Sequence, residues 1–473
     1  MATRDFSKYF LYRHRYVIGY GLIGLLLTAL LIFAGFYLPG ALSAAETRSV
    51  VRAASLSLSD TSSLAITNLP YYAFQAGIFA VFGVSIFTIK LPSLILALLS
   101  AIGLVLLLRR WFKPNIAVLA SLIAISTGQF LFIAQSGTPS VLYIFWPILL
   151  LLLGTQITRG KKWRFLWKIL FAIVAGLSLY TPLSVYPLIA IVLAMVLHPH
   201  LRSIVRRLSK VRLSIVTVIF LAIITPLVLL CISSPQLGLA LLGVPTSWPP
   251  DLGANAIIVL KQYFLFWEPS ATELMTPVFG LGSALLIVLG IYRLIRTRET
   301  TRSYLIIFWF ICLIPVLLLN PSFTSVTFVP SVLMLAAGLT SLIGYWYRLF
   351  PLNPYARIAG LVPIVLLVGI LLTTGLVRYG YGYHYSPNVA PLFSTDLALL
   401  PENTTIVVSN EEYPFYKAVA KYEKNLQVTT TLTKPTAVVS HDAWKNTDGY
   451  TITRIITNSR ADLADRWYMI TRQ

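Results

Sequence analysis

Long apolar runs alternate with short basic clusters over most of the chain. The runs fall at 16–38, 91–108, 115–133, 141–157, 165–181, 184–198, 213–233, 276–295, 304–320, 326–346 and 357–377. A helix needs ~20 predominantly apolar residues to cross a bilayer. The run 71–83 is too short for that, so it is predicted to be a re-entrant or interfacial helix, and about 11 crossings remain. The run 16–38 follows Arg4, Lys8, Arg13 and Arg15. It resembles a signal peptide but exceeds the length of a signal-peptide core and lacks a cleavage site, so it reads as an uncleaved first span.

Cytoplasmic loops collect Lys and Arg. With 71–83 left out of the count, one side receives the N-terminus, Arg109–Arg110–Lys113, Arg159 to Lys168, Arg202 to Arg212, Arg293 to Arg302, and Arg348 with Arg357. The opposite loops of the membrane part hold only Arg48, Arg52, Lys90 and Lys261. This asymmetry predicts a cytoplasmic N-terminus in the plasma (inner) membrane. Segments 165–181 and 184–198 form a hairpin with an outer tip at Tyr180–Pro187, where Pro182 and Pro187 suit a turn.

The period changes beyond Arg378. Strands are predicted at 405–409, 427–432, 437–440, 451–456 and 467–471, with helices at 411–422 and 459–466. The division is a transmembrane part, 1–378, with outside loops 39–70 and 234–275, and an extracytoplasmic α/β domain, 379–473. His441-Asp442 reads as a surface turn with no third partner, and no nucleotide loop or nucleophile elbow is present.

Composition sharpens this picture. Charged residues are 11% of the chain and mean hydropathy is +0.79, far from a soluble domain. The net charge of +21 does not mark a nucleic-acid binder, because the cations sit at the ends of apolar runs. Cys231 and Cys312 lie in or beside apolar segments, which suggests neither a disulfide framework nor a metal site. Outside the terminal domain, five of seven acids fall in the two outside loops: Glu46, Asp60, Asp251, Glu268 and Glu273. No carboxylate lies mid-span, which argues against an ion-coupled transporter and for chemistry at the outer surface. No cofactor and no tightly held metal are expected.

Residues 44–58 have helical composition, with Glu46, Ser49 and Ala53 on one stripe and Arg48 and Arg52 four apart on one face. Two such cations could grip a phosphate. The same spacing fits an interfacial helix whose arginines meet lipid headgroups. In the second loop, the helical stretch 254–267 places Lys261 among aromatics, as a phosphate contact or a plain interfacial anchor.

Several short motifs occur in a recognisable order: Ala45-Glu46-Thr47-Arg48, Leu69-Pro70-Tyr71-Tyr72, Phe82-Gly83-Val84-Ser85, Lys90-Leu91-Pro92-Ser93, Gly176 to Tyr180, and Asn320-Pro321 to Pro330. Over about residues 1–350 the chain resembles the C-type (GT-C fold) membrane glycosyltransferases, in the branch of protein mannosyltransferases and the lipid A aminoarabinose transferase. The resemblance implies transfer of a sugar from a polyprenyl-phosphate donor to a glycan, lipid or protein acceptor at the outer face. Glu46 would be the general base. Arg48, Arg52, Asp60, Tyr71, Tyr72, Lys90 and Lys261 would hold the lipid phosphate or acceptor. The chain departs from the family where Ala45 replaces an aspartate and where 135–140 carries no acid, ending in Ser140. Two readings follow: Glu46 has taken over the chemistry, or the chain is a non-catalytic relative that binds lipid-linked glycans or assists envelope assembly.

Overall fold

A computed structural model describes residues 41–472, except 58, 160–162, 207–208, 246, 267–269, 272–274, 350–353, 385–388, 390–391, 402–404, 424–425, 433, 445–448 and 459–464, together with scattered positions between 10 and 29. Most of the first apolar run, 16–38, therefore lies outside the described residues, as does most of the predicted helix 459–466.

Strand β1 (Leu42–Ser43) leads into α1 (Ala44–Ser55). The bundle follows as α2 (Leu69–Phe82), α3 (Ile86–Trp111), α4 (Pro114–Ile125), α5 (Gly128–Gln135), α6 (Leu142–Arg159), α7 (Arg164–Ser178), α8 (Val185–Leu197), α9 (Pro199–Arg206), α10 (Lys210–Ser233) and α11 (Pro235–Leu242). Next come α12 (Leu252–Phe264), the short strands β2 (Ser270–Ala271) and β3 (Met275–Thr276), α13 (Leu281–Arg296), α14 (Thr301–Leu319), α15 (Phe328–Leu349), α16 (Pro354–Ala359) and α17 (Leu361–His384).

Six helices are long and apolar enough to span, or eight if two bent pairs each count as one. The chain is thus a multi-pass membrane protein, but the eleven crossings counted along the sequence are not reached among the described residues. Helices α7 and α13 are only 15 and 16 residues long. The run 115–133 proves to be two helices, α4 and α5, bent by 59°. The break is local chemistry: the side chains of Ser126 and Thr127 turn back onto the carbonyls of Ile123 and Ala124, and Thr127 then caps α5 by accepting from Phe130 N. The short run is a 14-residue helix, α2, as its length required.

Helices α13 and α15 cross at contact. A Cβ on Gly290 would meet Met334 O at 1.9 Å, and one on Gly338 would meet Leu286 O at 2.0 Å. Small residues permit this backbone approach, a principal source of helix association in lipid. At the other extreme, α10 buries only Leu227 and presents most of its surface outward.

The terminal segment forms a five-stranded sheet in the order β6 (Gln427–Thr429), β5 (Thr405–Val407), β7 (Thr436–Ser440), β9 (Trp467–Arg472), β8 (Tyr450–Ile456). Strands β5, β6 and β7 are parallel, and β9 runs antiparallel to β7 and β8. It sits against α1 and α2. Strand β4 (Phe393–Thr395) pairs with β1, Lys421 Nζ donates to Ala54 O at 2.6 Å, and Tyr422 packs edge-on against Phe79. The basic ends of α3, α13 and α15 lie at the opposite end of the bundle from this sheet: Lys90 near the start of α3 meets Glu46 of α1, Met275 ahead of α13 packs with Phe393, and residues 320–325 ahead of α15 share a cavity with Arg48, while the arginines fall in the last turns.

The Gly–Gly crossing yields a stability test. Gly290→Val or Gly338→Val must separate the two helices and should cost about 1–3 kcal/mol. The readout is the thermal midpoint of the detergent-solubilised protein, and an unchanged midpoint would mean the backbones do not touch.

Candidate functional site

Helix α1 sorts its residues by face. Val50, Ala53 and Glu46 turn into the core, while Ala45, Arg48 and Arg52 turn outward. The outward face forms one wall of a cavity of about 710 Å³. The opposite walls come from the loop ending in Ser140, the start of α12 at Asp251, the turn at Asn320–Phe323, and Phe393 from the terminal segment. Arg48 and Arg52, one turn apart, bring two cations to it. Arg52 Nη1 donates to Tyr72 Oη at 3.2 Å, which orients the guanidinium along the wall.

Glu46 does not reach this cavity, and its proposed role as general base is corrected by its surroundings. Its side chain is fully buried. Oε1 accepts from Gly137 N at 2.8 Å and lies 3.6 Å from Lys90 Nζ. Oε2 accepts from Ser43 N at 2.8 Å and from Ser43 Oγ at 3.1 Å. Ser43 and Glu46 are the two ends of a capping box on α1. A base must have an open lone pair facing the proton it takes, and both oxygens here are committed to the protein. Adjacent helical residues point about 100° apart. That rotation is why Ala45 is on the cavity wall and Glu46 is behind it. The signal was in the sequence: Ser43-Ala-Ala-Glu46 has the spacing of a capping box.

Lys90 is equally buried and also lies off the cavity. Its ammonium donates to Gln135 Oε1 at 3.2 Å and to Ala41 O at 3.4 Å, so it serves Glu46 and neighbouring carbonyl oxygens rather than a ligand. Tyr71 is buried with its hydroxyl 2.8 Å from Ser93 Oγ, and burial pushes the phenol well above its usual range. Asp60 caps a short 3₁₀ turn; hydrogen bonds from the Ser62 hydroxyl and backbone hold its carboxyl below the usual range. Lys261 is exposed on α12 away from the cavity lining. The structure thus gathers Arg48, Arg52 and Tyr72 at one site and leaves Glu46, Asp60, Tyr71, Lys90 and Lys261 elsewhere.

Two residues not singled out for the site complete it. Asp251 is the one carboxylate lining the cavity among the described residues. Its Oδ1 accepts from Ala254 N at 2.9 Å as the cap of α12. Helix α12 is held beside the cavity by Asn255, whose Nδ2 donates to Leu318 O and Leu319 O, and by Gln262, whose Oε1 accepts from Thr324 Oγ1. Asn68 is the second. It is 5% exposed, lines the cavity in a left-handed conformation (φ 61°), and its Oδ1 has no hydrogen-bond partner. A buried orphan acceptor costs about 1–3 kcal/mol unless something donates to it. The sequence signal for Asn68 was only its place before Leu69-Pro70, the start of a helix.

The chain is similar to known proteins in part of its sequence and in its fold. Residues 69–229 match the family described as dolichyl-phosphate-mannose-protein mannosyltransferase. ArnT from Cupriavidus metallidurans in the apo state superposes with a TM-score of 0.55 at 12% identity, covering 96% of this chain and 98% of that one. The same protein bound to undecaprenyl phosphate gives 0.54 at 14% identity, with 95% and 98% covered. The oligosaccharyltransferase of Archaeoglobus fulgidus in the apo form gives 0.51 at 14% identity, with 88% of this chain and 65% of that one covered. No curated protein sequence matches. The fold is that of the C-type membrane glycosyltransferases.

The assignment of Glu46 as structural is open to direct test. Breaking a buried pair by removing one partner costs about 3–5 kcal/mol. Glu46→Gln should lower the thermal midpoint accordingly, and adding Lys90→Met should recover much of the loss. A midpoint indifferent to Glu46→Gln would return that residue to the list of candidate bases.

Proposed function

We propose that this chain transfers a sugar from a polyprenyl-phosphate carrier to an acceptor at the membrane face that bears the terminal sheet, which the charge asymmetry makes the outer face. The observation that supports this best is the pair Arg48 and Arg52 on the wall of a cavity at that face, in a protein with this fold. One relative of that fold carries undecaprenyl phosphate in its structure.

The chemistry needs three provisions. The acceptor oxygen attacks the anomeric carbon while the bond from that carbon to the phosphate oxygen breaks. The departing phosphate takes the bonding electrons, and Arg48 and Arg52 stabilise the charge that collects there. The proton lost by the acceptor hydroxyl goes to a carboxylate, and Asp251 is the group placed to receive it. The Oδ1 of Asn68, to which no described protein group donates, accepts from a hydroxyl of the bound sugar. Direct attack inverts the configuration at the anomeric carbon.

A second reading draws on Ala45. If no carboxylate in the cavity works as a base, the same two arginines still hold a lipid phosphate, and the protein is a binder of lipid-linked glycans. One experiment separates the two. Purified full-length protein is given polyprenyl-phosphate sugars, and sugar release is followed with binding of the carrier. Transfer predicts that Asp251→Asn lowers kcat by about 10²–10⁴, and that Arg48→Gln or Arg52→Gln lowers kcat as well, because charge on the leaving phosphate is no longer stabilised, while also weakening carrier binding. Turnover unaffected by Asp251→Asn removes that residue's role. Carrier binding that needs both arginines but never leads to release favours the binder.

A further inference from the structure

A second cavity, of about 570 Å³, opens at the opposite end of the bundle between α4, α13 and α15. Four cations converge on it: Lys113 from the turn before α4, Arg293 and Arg296 from the last turn of α13, and Arg348 from the last turn of α15. No carboxylate lines it among the described residues, and none of the four makes an ion pair with a described residue. Glu299, close in sequence, is not in the wall; its backbone carbonyl lies 3.0 Å from His198 Nε2. Arg348 is near enough to act on Arg293 as a like charge.

Helix C-termini account for part of this. Each terminus carries about half a negative charge, so α13 and α15 together offset about one of the four cations. Roughly three remain, facing one another across a cavity. Like charges held together without counter-charge destabilise the fold unless an anion joins them.

The surroundings indicate which anion. Leu281, Leu285, Val288, Tyr292 and Ile295 form one stripe along α13, each about 60% exposed, and the stripe runs along the helix into the cavity at Tyr292. An apolar track leading to a cationic pocket at the end of a spanning bundle matches an amphiphile with a phosphate head. A free phosphate would have no use for the track. We propose that this cavity binds the headgroup of an anionic phospholipid from the adjacent leaflet, with the acyl chains laid along α13. A headgroup with two phosphates satisfies the residual charge best. The bound lipid bridges α13 and α15 beyond their glycine crossing.

This proposal is independent of sugar transfer, because binding is measured without turnover. Full-length protein in detergent is stripped of lipid and titrated with cardiolipin, phosphatidylglycerol or phosphatidylcholine, followed by native mass spectrometry and thermal midpoint. Wild type should bind cardiolipin and then phosphatidylglycerol, each raising the midpoint, with no response to phosphatidylcholine. Arg293→Gln with Arg348→Gln should weaken cardiolipin binding at least tenfold. Arg202→Gln with Arg206→Gln, which removes the same charge elsewhere, should not. If the double variant fails to fold, Lys113→Gln with Arg296→Gln provides the same comparison. Equal loss in the control pair, equal response to phosphatidylcholine, or full competition by inorganic pyrophosphate would each overturn the proposal, the last by identifying a free-anion site.

Discussion

The ion pair between Glu46 and Lys90 fixes the geometry on which the main cavity depends. It joins the start of α1 to α3, and through Gly137 N it draws in the loop that carries Ser140. A lone charge at such depth would cost several kcal/mol, so neither partner can be dropped singly. Gly137 is part of the device, since a Cβ there would sit 2.7 Å from Ile89 Cγ2 and 2.9 Å from Ile89 O. Only a residue without a side chain brings its N–H to the carboxylate. With α1 locked in rotation by this pair, Arg48 and Arg52 have no choice but to face the open side.

The molecule separates two kinds of charge. One kind is consumed in holding the bundle together, and its groups are buried and mutually satisfied. The other is left facing cavities, at Arg48, Arg52 and Asp251 at one end and at the arginines of α13 and α15 at the other. Sequence position does not distinguish them. Glu46 and Ala45 are neighbours, yet one is committed to the fold and the other borders the cavity.

This explains how far the sequence could be read. Helix positions followed from hydropathy, as did the short α2 and the turn between α7 and α8, because lipid leaves the backbone few options. The cationic face of α1 followed from four-residue spacing. The rotation of α1 about its axis did not, since a stripe shared by Glu46, Ser49 and Ala53 says nothing about which side is core. The capping spacing from Ser43 to Glu46 would have decided it. The bend at Ser126–Thr127 also escaped a hydropathy reading, because two hydroxyls that break a helix barely lower the mean of an apolar run. Asp251 and Asn68 were hidden for another reason: each acquires meaning only through walls supplied by distant segments.

Phe393 has a role larger than its place in a two-residue pairing suggests. Its ring lies 6.0 Å from Lys90 Nζ and borders the cavity at the same time. The terminal segment therefore contributes one of the apolar groups around the buried pair. While the ring is seated, water is kept from the buried pair and its attraction stays strong; were it to swing out, the dielectric around the pair would rise and the grip on α1 would slacken. Docking of the terminal segment and rigidity of the membrane part thus meet at one aromatic ring.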